Sequence, residues 1–129
     1  MIQGKTELEN NALRENEVEW LETMLSPVIP YKKELISQIN CAQVTREYTK
    51  YYLSLLFKVE QSAPQVICNV RVSVEMVVYK KGMMPIQFLL HVIDGYIVEL
   101  EIFAADSSEI SSDLSLDDAT MEVNITWRE

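Results

Sequence analysis

The spacing of apolar residues changes once along this chain, from a period near 3.6 to a period of 2. Between residues 13 and 25, Val18, Leu21 and Leu25 share one side of a helix, with Trp20 and Met24 beside them. Glu15, Glu17, Glu19 and Glu22 suit the other side and the early turns. Ser26-Pro27 stops this helix, because the residue before a proline is pushed out of the helical region. Pro30 fits the first turn of a second helix, whose apolar side is Tyr31, Leu35, Ile36 and Ile39 and which ends near Asn40. From there apolar and polar residues alternate. Tyr51, Leu53, Leu55, Phe57 and Val59 oppose Arg46, Tyr48, Lys50, Tyr52, Ser54 and Lys58, which predicts a long half-buried strand over 45–60. QSAP at 61–64 is a turn. A second strand over 66–79 points Val66, Cys68, Val70, Val72, Val74, Met76 and Val78 one way and Asn69, Arg71, Ser73 and Glu75 the other.

Asp94-Gly95 lies between two further apolar runs and marks a hairpin joining 84–93 to 96–104. A bare two-residue loop would pair Leu90 with Glu99 and Phe88 with Glu101, which puts acids in the core. A three-residue loop, Ile93-Asp94-Gly95, pairs Val92 with Tyr96, Leu90 with Val98, Phe88 with Leu100 and Ile86 with Ile102. The outward face then carries Gln87, Leu89, His91, Ile97, Glu99, Glu101 and Phe103, so the two acids are ordinary outward residues. Residues 106–120 form an acidic Ser- and Asp-rich loop. Met121, Val123, Ile125 and Trp127 then alternate with polar residues as an edge-like fifth strand. The expected fold is α+β: two N-terminal helices packed on one face of a four- to five-stranded antiparallel meander sheet. It forms one domain over 1–129, with 1–12 frayed.

Composition adds little until charge is mapped. The chain is 48% hydrophobic, enough for a core, and has no apolar run long enough to span a membrane. Its start has no secretory pattern, and two cysteines, Cys41 and Cys68, make no disulfide framework. These features predict free thiols, with Cys68 a buried small hydrophobe, and a cytoplasmic protein. The net charge of −9 is unevenly placed. Residues 1–81 hold ten acids and ten bases; residues 82–129 hold ten acids and one base, Arg128. Such a field repels nucleic acid and anionic lipid and steers basic partners, besides keeping the surface soluble.

No enzyme constellation emerges. His91 is the sole histidine, with Ile97 opposite and Glu99 diagonal in the expected register. The Cβ atoms of Glu99 and Glu101 stand about 7 Å apart on one strand face, which by itself makes neither an acid/base pair nor a metal site. Asp106, Glu109, Asp113, Asp117 and Asp118 lack EF-hand spacing, so no metal or cofactor is expected. Arg46, Lys50 and Lys58 with Tyr48 and Tyr52 could make a basic aromatic stripe, but the overall charge favours cross-strand pairs with Glu75, Glu99 or Glu101. The outward face mixes Tyr48, Tyr52, Tyr79, Leu89, His91, Ile97 and Phe103 with Arg71, Glu75, Glu99 and Glu101. That mixture suits either a protein-binding surface or a face covered by another element.

The segment MPIQFLLHVIDGYIVELEIFAADSSEI, about 27 of the 129 residues, resembles the strand–DG–strand–acidic segment of small bacterial immunity proteins encoded beside polymorphic or contact-dependent toxins. The matching residues are Gly95, Glu99, Leu100, Glu101, Ile102 and Asp106. The resemblance implies a non-enzymatic protein that binds and blocks a basic, nuclease-like toxin domain. The expected contacts are His91, Tyr96, Glu99, Glu101, Phe103, Asp106, Glu109 and Asp113. The competing expectations are a small-molecule module with a pocket between helices and sheet, and a homodimer formed through the open sheet face.

Overall fold

A computed structural model describes residue 2, residues 12–67 and residues 70–126. Two helices precede six strands: α1 (Glu15–Met24), α2 (Lys32–Cys41), β1 (Gln43–Thr49), β2 (Tyr52–Lys58), β3 (Val72–Tyr79), β4 (Ile86–Ile93), β5 (Tyr96–Ala104) and β6 (Thr120–Ile125). The fold is α+β, with every strand pair antiparallel. The sheet has six strands in the order β1-β2-β5-β4-β3-β6, so it is not the simple four- to five-stranded meander expected from sequence. β3, β4 and β5 form a meander; the β1–β2 hairpin adds beside β5, and β6 returns to the far edge beside β3.

Both helices lie on one face. Trp20, Leu21, Met24, Leu35 and Ile39 are buried against Leu53, Leu55, Val74, Met76, Phe88, Leu90, Leu100 and Ile102. Trp20 meets Phe88 edge to face, 5.4 Å between centroids. α1 opens with acids on its positive end, and Glu17 Oε1 accepts the Arg14 N–H at 2.7 Å. Pro30 precedes α2 rather than opening it: Tyr31 holds the left-handed cap position at φ 57. Ile2 and Ala12 are buried, so the first twelve residues are not all frayed. Cys41 is a free, half-buried thiol. Cys68, Asn69 and Trp127 lie outside the described residues.

Three expectations fail, each at a reversal or irregularity of the strands. The long strand expected over 45–60 is two strands, with Thr49 paired to Tyr52 across Lys50-Tyr51. A two-residue turn inverts parity, so Tyr48 pairs with Leu53 and Arg46 with Leu55. Arg46 and Tyr48 therefore point to the helix side, and no basic aromatic stripe exists there. The strand expected over 66–79 begins at Val72 instead. Residues 64–66 fold over the hairpin turn, with Val66 N–H donating to Gly95 O and the Gln65 amide to Asp94 O. Finally, the β4–β5 loop has two residues: Asp94 and Gly95 have φ of 52 and 82, and Ile93 pairs with Tyr96. Two consecutive positive φ angles match the twist of a hairpin. Val98 is then an extra residue, a bulge that restores Leu90 to Leu100 and Phe88 to Ile102. Ile97 pairs with Val92 and is buried in the core, not outward. Glu99 and Glu101 still face away from the helices.

The β5–β6 connection, residues 105–119, holds most of the acidic loop expected over 106–120 and runs beside α1. Ile110, Leu114 and Leu116 are buried in the core. Trp20 Nε1 donates to Leu114 O at 3.0 Å, and Asn16 Nδ2 to Ser112 O at 3.2 Å.

Candidate functional site

The face opposite the helices has no described element packed over it. Register places Glu47 on β1; Tyr52, Ser54, Leu56 and Lys58 on β2; and Glu99, Glu101 and Phe103 on β5. It adds Gln87, Leu89 and His91 on β4; Glu75, Val77 and Tyr79 on β3; and Glu122 on β6. Leu56, Leu89, Phe103 and Val77 are half-buried by their neighbours alone.

His91 is the centre of this face. Both strands beside it are irregular at its level, β3 at Ser73 and β5 at Val98. Bulges re-aim side chains and concentrate at functional positions. Here they set Glu99 directly opposite His91, where a continuous register from the turn would set Val98. The result is two adjoining hydrogen-bond groups. Arg71 Nε donates to His91 Nδ1 at 3.1 Å, and His91 Nε2 lies 2.9 Å from Glu101 Oε1. A guanidinium nitrogen can only donate, so Nδ1 is the acceptor and the ring proton sits on Nε2, directed at Glu101. Beside this, the hydroxyls of Tyr52 and Ser54 both donate to Glu99 Oε2, at 2.8 and 2.6 Å. Ser54 is fully buried and His91 is 8% exposed, so these are packed positions and not loose surface contacts.

The electrostatics follow from these contacts. Burial works to raise the Glu99 carboxyl pKa. The Ser54 and Tyr52 hydroxyls and the positive charge of nearby Arg71 outweigh it and hold the group below its ordinary value. Burial also raises the Tyr52 phenol pKa, helped by Glu99 and Glu101, so its hydroxyl stays protonated as a donor. No Lys or Arg among the described residues comes within ion-pair distance of Glu99 or Glu101. Ser73, at the β3 bulge, keeps a buried hydroxyl without a hydrogen-bond partner among the described residues.

The residues expected at the site are divided by the fold. His91, Glu99, Glu101 and Phe103 come together on the open face. Tyr96 stands at the turn end, its hydroxyl donating to Gln61 O at 3.1 Å. Asp106, Glu109 and Asp113 sit on the β5–β6 connection, outside the hydrogen-bond network of His91. Asp106 accepts the Ser108 N–H at 3.0 Å, and the Ser108 contacts lower its pKa. Glu109 pairs with Lys50 at 3.6 Å, and Asp113 accepts from the Ser111 hydroxyl. Tyr52, Ser54 and Arg71 complete the network and were not among the expected contacts. Alternation around Leu53 and Leu55 marked Tyr52 and Ser54 as one face, but only the β2–β5 register shows that it is the face of Glu99.

Among the described residues no group of three His, Cys, Asp or Glu side chains could hold a metal ion. No described helix is long and apolar enough to cross a membrane. An open depression of about 670 Å³, lined by Val66, Val92, Arg71 and neighbours, lies at the hairpin turn and not between helices and sheet. No family model, curated protein or solved structure matches the chain.

Proposed function

We propose that this chain is a non-enzymatic binding protein that covers a basic protein partner with its open sheet face. The observation that carries this reading is the composition of that face. Five acids, Glu47, Glu75, Glu99, Glu101 and Glu122, stand against two bases, Lys58 and Arg71. Tyr52, Leu56, Leu89, Phe103 and Tyr79 lie among them. Aromatic and apolar anchors within a field of one sign suit a protein interface. The resemblance of the hairpin to immunity proteins makes the partner a nuclease-like toxin domain, whose substrate cleft is basic. In this reading Asp106, Glu109 and Asp113 add to the long-range field that speeds encounter, and the His91 cluster makes the contact.

Binding to the toxin domain encoded beside the chain's own gene tests it, by co-purification and by affinity measured across a salt series. Affinity is expected to fall steeply with salt, and to fall further on the reversals Glu99→Lys and Glu101→Lys. Unchanged affinity and salt slope after both reversals would remove the open face from the function.

A further inference from the structure

The Glu99–Glu101 pair stands out against the other ionic contacts of the molecule. Glu17, buried on the helix side, is closed by Arg46 of the same chain. Glu109, at the surface, has Lys50. Among the described residues, Glu99 has two hydroxyls as hydrogen-bond donors, and Glu101 has the imidazole of His91. The sole base in this group, Arg71, spends its Nε on His91. Two carboxylates therefore share one guanidinium at a distance, and the cluster keeps a surplus of negative charge in half-buried surroundings. Glu99 Oε1 and Glu101 Oε2 have no donor among the described residues.

We infer that this pair is the receptor for an arginine side chain of the partner protein, whose guanidinium bridges the two unused carboxylate oxygens. This rests on the proposed role of the open face and names the group that the face recognises. Arginine fits better than lysine for two reasons. Its planar fork offers separate N–H donors to two carboxylates on one strand face, whereas an ammonium is a point charge. Tyr52 on β2 and Phe103 on β5 lie side by side at the Glu101 end of the pair, and a guanidinium stacks on such rings. A second copy of this chain is a poorer occupant, because a net charge of −9 repels itself. The packing beneath keeps the oxygens in place: Ser54 is buried, and Tyr52 and Ser54 grip the same oxygen of Glu99, which leaves the other free.

The test needs no natural partner. The full chain is titrated with an oligoarginine and an oligolysine peptide of equal length, followed by NMR at the His91 ring and the backbone of β2 and β5. The arginine peptide is expected to bind at least about fivefold more tightly, to shift His91, and to lose that advantage in both Glu99→Gln and Glu101→Gln. Each variant is nearly isosteric, and an otherwise unchanged amide spectrum shows that it folds. Equal affinity for the two peptides, or shifts confined to residues 106–118, would overturn the assignment. If the peptides fail in this way while the toxin domain still responds to the Glu99→Lys and Glu101→Lys reversals, the arginine receptor is wrong and the acidic interface stands. If the toxin domain also ignores the reversals, the reading of the open face is wrong as well.

Discussion

The two faces of the sheet treat a shielded carboxylate in opposite ways. On the helix side, Glu17 is 1% exposed, bonded by Arg46 Nε at 2.6 Å and by a second guanidinium nitrogen. Arg46 also donates to Ala12 O, so every charge in that group has an internal partner. On the open side, Glu99 is held by neutral hydroxyls, and no Lys or Arg among the described residues is within ion-pair distance of it. A protein stabilises an interior by closing its ion pairs, because an orphaned buried charge is expensive. In the proposed function, the charge left unclosed on the open side is what a partner would complete. Glu17 and Glu99 differ in burial, and they differ as much in the identity of their partners.

Breaking the closed side has the largest expected effect. Glu17→Ala strands the Arg46 guanidinium between helix and sheet, and should cost about 3–5 kcal/mol in urea unfolding. Replacing both by apolar residues of similar volume should recover most of that loss. On the open side, Glu99→Ala leaves the buried Ser54 hydroxyl without an acceptor, and should cost about 1 kcal/mol in the same measurement. A loss as large as that of Glu17→Ala would mean that the open face is a second structural centre.

Acid sharpens the contrast further. The Glu99 pKa in the folded state lies below its ordinary value of 4.5. Its ionised form therefore contributes stability above about pH 4.5, and that contribution is lost as pH falls through the folded pKa. Glu99→Gln should accordingly lose less stability than the parent chain when unfolding is compared at about pH 5 and about pH 3. The smallest effect belongs to the exposed pair Lys50–Glu109: Glu109→Gln should change stability by less than about 0.5 kcal/mol.

Periodicity was enough to place both helices, the β4–β5 hairpin and the outward direction of Glu99 and Glu101. These features depend on local pattern, and Asp94-Gly95 carries its own turn chemistry. The β1–β2 reversal was hidden because Lys50-Tyr51 contains no Gly, Asn, Asp or Pro, and alternation runs through it unbroken. The bulges at Ser73 and Val98 were hidden for a different reason. They are set by which strands become neighbours, and both alternatives for the hairpin left the acids' final direction to be chosen by core packing. The anchors Ile110, Leu114 and Leu116 were present in the sequence as isolated apolar residues among serines and acids. Their spacing matches neither a helix nor a strand, so only the groove beside α1 gives them a purpose. The pairing of Glu99 with Tyr52 and Ser54 depends on β2 meeting β5 across an intervening stretch of two strands, which no local signal encodes.

The cover over α1 also fixes an order of events during synthesis. The Trp20 indole finds its acceptor 94 positions later, at Leu114, and Glu19 receives the N–H of Leu116 97 positions later. A nascent chain emerges from its N-terminal end at roughly 5–20 residues per second. The first helix therefore waits several seconds, by that rate, with its largest side chain incompletely shielded. The hairpins can close in the meantime from near neighbours, but the last layer is added only when the acidic connection has left the ribosome. That interval is when a chaperone would find this chain.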